Sequence, residues 1–82
     1  MVTYFVVMGF QLGKGGVLVA DQPQEIHGGE SRCVSAAKRL SSERAGVIAF
    51  ARSGDPQMGD WQDAVILWQS GVVPEDLFEA VA

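Results

Sequence analysis

The chain has 82 residues, of which 48% are apolar and 20% are charged, and its formal net charge is −4. This length predicts a single domain over residues 1–82, and such a chain buries only roughly 60% of the surface that its unfolded form exposes. The one cysteine excludes an intrachain disulfide and a zinc site made of thiolates. The acidic balance counts against nucleic acid as the main partner, because proteins that bind phosphate backbones are usually basic.

The sequence has no segment that predicts membrane insertion or export. No apolar run approaches the roughly 20 residues that span a bilayer. The apolar N-terminus lacks the basic residues and the small-residue cleavage site of a signal peptide, and we interpret it as a strand. A lone cysteine without an export signal favours the cytoplasm.

The first predicted strand covers residues 4–11, which are rich in β-branched and aromatic side chains. Both alternating sets of this strand are apolar, which is typical of a central strand that is covered on each face. The GKGG segment at residues 13–16 supplies the positive φ angles of a hairpin turn. A second strand over residues 17–20 follows, and it continues over residues 24–27 past a kink at Pro23.

Helical spacing begins after two glycines and predicts a helix from Glu30 to about Arg44. The negative charge of Glu30 suits the first turn of a helix. One stripe of this helix carries small and apolar side chains, which allows it to lie close to a sheet. The stripe consists of Cys33, Ala36, Ala37 and Leu40.

Three elements are predicted from residues with clear local signals after the helix. A third strand covers residues 47–51 and is apolar on both sides. The SGDP segment at residues 53–56 predicts a turn by its glycine and proline content. The PED segment at residues 74–76 predicts the start of a short C-terminal helix.

A fourth strand is predicted over residues 61–69. Trp61 and Trp68 are seven residues apart, so they face opposite sides of the sheet. We expect one of them in the core and the other on the open face or its rim, where tryptophan often anchors an interface. The alternation places Val65 and Leu67 on one side, and Ala64, Ile66 and Trp68 on the other.

Together these elements predict an α+β fold with the order β-β-α-β-β-α. The first and third strands are the most apolar and are expected at the centre of a single four-stranded antiparallel sheet of order 2-1-3-4. The main helix covers one face, and a short helix ends the chain. One helix covers only one face of such a sheet, so the apolar side chains on the open face predict an interface.

Few side chains suggest chemistry. A nucleophilic pair of Cys33 and His27 would need the two within hydrogen-bond reach, whereas a cysteine on an apolar stripe is usually an inert hydrophobe. Oxygen-rich loops bind calcium or magnesium, but Asp55, Asp60 and Asp63 do not follow the EF-hand order. We therefore assign no catalytic residue, cofactor or metal ligand, and we leave open whether this loop binds a cation.

The charges are distributed unevenly. Residues 31–54 contain five bases and one acid, and residues 55–82 contain six acids and no base. Either these segments pair internally or face solvent, or the surface is bipolar and favours antiparallel self-association. We expect a non-enzymatic interaction module that forms a homodimer through the open sheet face, with an unidentified protein partner as a further possibility.

Two alternatives remain. The first is a small-molecule-binding protein or minor enzyme with a pocket between sheet and helix, near Trp61, Arg52 and Asp55. The second is a nucleic-acid adaptor that stacks bases on sheet aromatics beside Arg44 and Arg52, which the acidic balance opposes. The candidate interaction surface consists of Trp61, Trp68, Arg52 and Asp55.

Three segments of the C-terminal half carry a resemblance: GVIAFARSGDP at residues 46–56, DAVIL at 63–67 and GVVPEDL at 71–77. Together they resemble a group of short uncharacterised bacterial proteins of about this whole length. The N-terminal strand and helix match that group only in pattern. The resemblance implies a free-standing, one-domain cytoplasmic protein, and it implies no activity.

Overall fold

A computed structural model describes residues 1–75 and 77. Within them the fold is α+β, with one helix packed on an antiparallel sheet that is curled into a half-barrel. No described helix is long and apolar enough to cross a membrane. The elements are β1 (Val2–Leu12), β2 (Leu18–Ala20), β3 (Gln24–Glu25), α1 (Glu30–Leu40), β4 (Gly46–Asp55), β5 (Asp60–Trp61) and β6 (Val65–Gly71).

The sheet has six strands, so the prediction of four is wrong. Both outer strands are interrupted: β2 and β3 each pair with β1, and β5 and β6 each pair with β4. Pro23 lies in the first break, where it cannot donate to a strand ladder. The backbone N–H of Asp21 instead donates to the Gly9 carbonyl at 2.8 Å. The segments still lie side by side in the predicted order, because β1 and β4 form the centre.

The central pair is longer than the sequence suggests. β4 runs to Asp55 and pairs with β1 from Val2 opposite Gly54 to Phe10 opposite Gly46. The turn predicted at residues 53–56 is therefore wrong, and the chain turns at residues 56–59. Pairing with β1 extends the strand through its glycine, since tertiary partners override local strand propensity.

The core lies between α1 and the sheet. The predicted stripe is confirmed, because Cys33 and Ala37 are fully buried and Ala36 and Leu40 pack beside them. The helix ends at Leu40 and not near Arg44. The hydroxyls of the following Ser41 and Ser42 donate to carbonyls three residues back, a local bonding pattern that competes with helix continuation. The sheet contributes Val7, Val47 and Ala49 to this core.

A β-bulge changes the alternation in β6. Ala49 is opposite Trp68 and Phe50 is opposite Ile66, so Leu67 has no partner of its own. An extra residue of this kind lets two successive side chains point toward one face. Leu67 and Trp68 both pack against the helix-side core, and the predicted separation of these two residues is wrong.

The face of the sheet opposite α1, called the far face below, is covered at one end. Phe10 and Ile48 lie on this face and are each only 1% exposed. The backbone of Val72 crosses Gly46, and a cavity beside Ile48 is lined in part by Val73 and Leu77. The segment after β6 thus covers part of the far face. Most of the predicted C-terminal helix lies outside the described residues.

An ion pair joins the break between β2 and β3 to the chain after α1. Arg44 Nε lies 2.6 Å from Asp21 Oδ2, and its hydrogen bond lowers the pKa of Asp21 from the ordinary 3.8. The other ion pair of the described residues joins Glu25 and His27. Neither pair joins the basic segment to the acidic one.

Acid should therefore weaken the fold through Asp21. A carboxyl group whose folded pKa is depressed stabilises the fold above its unfolded pKa, and this contribution is lost as the pH falls through the folded pKa. We expect the free energy of unfolding to fall below pH 3.8 in the wild type and to fall less in Asp21→Asn. Urea titrations on either side of that pH measure this. Asp63→Asn, at an exposed acid, serves as the control, and equal pH profiles for D21N and wild type would contradict the assignment.

Candidate functional site

A groove of about 430 Å³ lies on the far face. Its floor comes from the central strands and its sides come from both interrupted edges of the sheet. The pocket predicted near Trp61 and Arg52 therefore lies on the face opposite α1 and not between sheet and helix. The groove is lined by Tyr4, Val6, Pro23, Glu25, Phe50, Arg52 and Trp61.

Strand register explains why these side chains share a face. Tyr4 is opposite Arg52, and Val6 lies between Phe50 on one side and Glu25 on the other. Residues directly opposite in an antiparallel pair point to the same face. Side chains of the central strands therefore border one groove together with side chains from both edges of the sheet.

Trp61 forms the wall at the β5 edge. It is opposite Gly54, where a Cβ atom would lie 2.5 Å from Cε3 of the indole, so the ring lies directly over the glycine. The Tyr4 ring is tilted against it at 33°, with ring centroids 5.7 Å apart. Trp61 is 39% exposed. Because Gly54 has no side chain, the indole of Trp61 lies over it. The aromatic pair of Trp61 and Tyr4 is therefore beside Arg52.

Arg52 is the positive charge of the groove. Its Nε atom is buried and has no hydrogen-bond partner, and Arg52 takes part in neither ion pair of the described residues. The acid that shares the groove, Glu25, lies 3.6 Å from His27 Nδ1 through its Oε2 atom. A buried donor without a partner costs free energy. The groove thus holds a guanidinium that lacks a counter-charge from the described residues.

The predicted surface residues separate in the structure. Trp61 and Arg52 line the groove. Trp68 packs against the helix-side core, so the two tryptophans lie on opposite faces as predicted, although they belong to separate strands and the bulge at Leu67 lies between them. Asp55 lies at the end of β4 opposite Asp60, and its Oδ1 accepts a hydrogen bond from the Gln57 N–H at 3.0 Å. Asp55 is therefore part of a turn and does not line the groove.

Sequence reasoning did not assign Tyr4, Val6 or Glu25 to a site. The alternation of the first strand does place Tyr4 and Val6 on one side, so a signal for both was present. The position of Glu25 depends on its pairing opposite Val6 after the break at Pro23, and no local pattern indicates that register.

Neither the candidate nucleophile, Cys33, nor the candidate base, His27, is in an environment that activates it for catalysis. Cys33 is fully buried, and its thiol donates to the Val6 carbonyl at an Sγ–O distance of 3.6 Å. Burial raises the pKa of Cys33, and the negative charge of Glu30 adds to this, so the thiol is held in its unreactive form. The imidazole of His27 is 86% exposed and beside Glu25.

No three potential metal-ligating side chains converge within residues 1–75 and 77. The loop that contains Asp55, Asp60 and Asp63 lies within this range.

Comparison of the chain with protein-family models, curated proteins and solved structures finds no match in any of the three. The resemblance of the C-terminal half to short bacterial proteins stays a prediction. The geometry of the groove is therefore the feature that supports a function.

Proposed function

We propose that this protein is a non-enzymatic binding protein that holds a small molecule in the far-face groove. The observation that carries the proposal is a groove in which three aromatic side chains share the lining with Arg52, whose guanidinium forms no ion pair with the described residues. Ligand sites are typically apolar clefts with a few placed polar groups. The volume of about 430 Å³ falls within the usual range for such sites.

Shape favours a small ligand over a second copy on this face. Stable interfaces need surfaces that fit closely. Two copies of this groove that faced each other across a two-fold axis would leave both cavities unfilled. A molecule small enough to enter fills that space instead, and it contacts both Trp61 and the floor between β1 and β4.

The test is a fragment titration followed by NMR. Neutral, anionic and cationic aromatic fragments are added to the labelled protein, and backbone and indole signals are recorded. We expect at least one class to shift the signals of Tyr4, Arg52 and Trp61, while the indole signal of Trp68 stays in place because that ring packs in the core. No shift at the groove with any class at millimolar concentration would overturn the proposal.

Self-association is a second candidate, carried by the β6 edge and not by the groove. Among the residues that the structure describes, β6 pairs with β4 alone, and its segment VILWQSG contains no charged residue. Val65 and Ile66 are 60% and 50% exposed. Edge strands without charges or proline readily pair with another chain. The bulge at Leu67 shortens the regular edge, so we expect a dimer that depends on protein concentration.

Light scattering tests this candidate with a matched pair of variants. We expect the wild-type mass to rise toward twice the chain mass of 8.8 kDa as concentration increases. Ile66→Lys should hold the protein as a monomer, because a charge on the edge opposes pairing. Val19→Lys, on the opposite edge and 54% exposed, adds the same charge and should leave the dimer intact. A wild type that stays monomeric at every concentration would remove this candidate.

A further inference from the structure

We infer that the ligand of the groove is a monocarboxylate joined by a short linker to a flat apolar group. The inference rests on the proposed binding function and adds the chemical class of the ligand. It follows from the placement of one cation, one aromatic pair and one acid around the same cavity.

The positive charge of Arg52 favours an anionic ligand. A guanidinium stays protonated at all physiological pH values and is matched in shape by a carboxylate. Nε of Arg52 is enclosed by protein, whereas the residue as a whole is partly exposed and lines the groove. A ligand therefore reaches Arg52 through the terminal nitrogens. A carboxylate there supplies the counter-charge that the described residues do not.

The aromatic pair of Trp61 and Tyr4 favours a ligand that contains a flat apolar group. Trp61 and Tyr4 present ring surface to the cavity, with Val6 beside them. Stacking on such rings stabilises a planar group beyond the burial of its area. Apart from Arg52 and Glu25, the described residues that line the groove carry no charge.

The spacing of these groups limits the linker. Arg52 and Gly54 are two residues apart on β4, and Trp61 is opposite Gly54 on the neighbouring strand. At the rise of a strand this is about 7 Å along the sheet. A carboxylate at Arg52 and a ring at Trp61 are then joined by a linker of about two carbons.

Glu25 restricts the charge of the ligand. Its carboxylate shares the groove, and it lies 3.6 Å from the His27 imidazole. A second negative charge on the ligand would be repelled by it. A ligand ammonium group would be attracted, so a simple acid and an amino acid share the carboxylate and ring but differ in their response to Glu25.

The experiment compares three probes that share a phenyl ring and a two-carbon linker: 3-phenylpropionate, 3-phenylpropanamide and 3-phenylpropylamine. Dissociation constants are measured by NMR titration of the full chain. We expect the carboxylate to bind about tenfold more tightly than the amide, because charged hydrogen bonds are stronger than neutral ones. The amine should bind more weakly than the carboxylate, because its ammonium group cannot pair with Arg52. Added salt should weaken the carboxylate complex and leave the amide complex unchanged.

Two variants locate the effect. Arg52→Gln should reduce the affinity for 3-phenylpropionate to that of the amide and leave the amide affinity unchanged. Glu25→Gln should tighten the carboxylate complex about twofold by removing a like charge. Phenylalanine, measured on the same variants, distinguishes an amino acid from a simple acid, since Glu25→Gln should weaken its binding if the ammonium contacts Glu25.

The outcomes separate this inference from the proposed function. If the amide and the carboxylate bind equally at Trp61, or if Arg52→Gln leaves the carboxylate affinity unchanged, the ligand class is wrong while the binding function stands. If none of the probes shifts the groove signals, the inference fails, and the broader fragment titration decides the binding function. Should Arg52→Gln not fold, the salt dependence of the wild-type complex decides the ligand class, since a carboxylate complex that salt leaves unchanged would overturn it.

Discussion

Gly46→Ala should lower the free energy of unfolding by about 3 kcal/mol, the upper part of the usual range for overpacking. A Cβ atom at Gly46 would lie 1.8 Å from the carbonyl oxygen and 2.6 Å from the carbonyl carbon of Val72. Both are backbone atoms and cannot rotate away. The added methyl group must displace the segment after β6 from the far face, where it crosses β4.

The direction of the stability change in G46A tests whether Val72 contacts Gly46. In a strand without a close neighbour, alanine is more stable than glycine by about 0.5–1 kcal/mol, because glycine loses more chain entropy on folding. Urea unfolding of the wild type and of G46A measures the difference. A variant as stable as the wild type would mean that Val72 does not pass over Gly46.

Gly59→Ala provides the matched control for Gly46. It has a positive φ of 73°, and nothing lies within 4 Å of the position that its Cβ would take. Its cost is therefore only that of the left-handed backbone, about 1–2 kcal/mol. Because Gly46 has no positive φ, a loss of stability in G46A comes from the contact with Val72, whereas the loss in G59A comes from the backbone alone.

Gly54→Ala should remove the aromatic wall of the groove and lower the free energy of unfolding by about 2 kcal/mol. A Cβ atom there would lie 2.5 Å from the Asp60 carbonyl oxygen and 2.5 Å from Cε3 of Trp61. The indole can rotate away, whereas the carbonyl belongs to the paired β5 strand. Both the short β4–β5 pairing and the position of Trp61 should change.

Indole NMR signals and urea unfolding measure the two effects together. We expect the Trp61 signal to move toward that of an exposed indole, and that of Trp68 to stay in place because it packs on the other face. Binding of groove ligands should weaken in parallel. In the background of Trp61→Ala, the Gly54→Ala change should cost less, because one of the two clashes is gone. An unchanged Trp61 signal in G54A would contradict this geometry.

Local patterns predicted the elements that one short segment specifies. The stripe of Cys33 and Ala37 indicated the buried face of the helix, and the glycines at residues 13–16 indicated the β1–β2 hairpin. In each case the signal is a spacing within one element, which the 3.6- and two-residue periods of helix and strand make readable.

Predictions from local patterns were wrong where pairing with a distant segment determines the local structure. Ser53 and Gly54 form a turn by composition, but they are strand because Thr3 and Val2 pair with them. Leu67 has no partner in β4, so it joins Trp68 on the helix side. The groove likewise needs Glu25 and Trp61 at opposite edges of one curled sheet. Its walls come from segments far apart in the chain, and their register cannot be read from either segment alone.

The sequence by itself therefore determined the α+β class, the central position of the two most apolar strands and the face that α1 buries, because these depend on composition and short-range periodicity. Only the tertiary structure decided that the sheet curls, that the segment after β6 covers one end of the far face, and that Arg52 lies beside Trp61 without a counter-charge from the described residues. These features arise from pairing and packing between segments distant in sequence, and the candidate site is made of them.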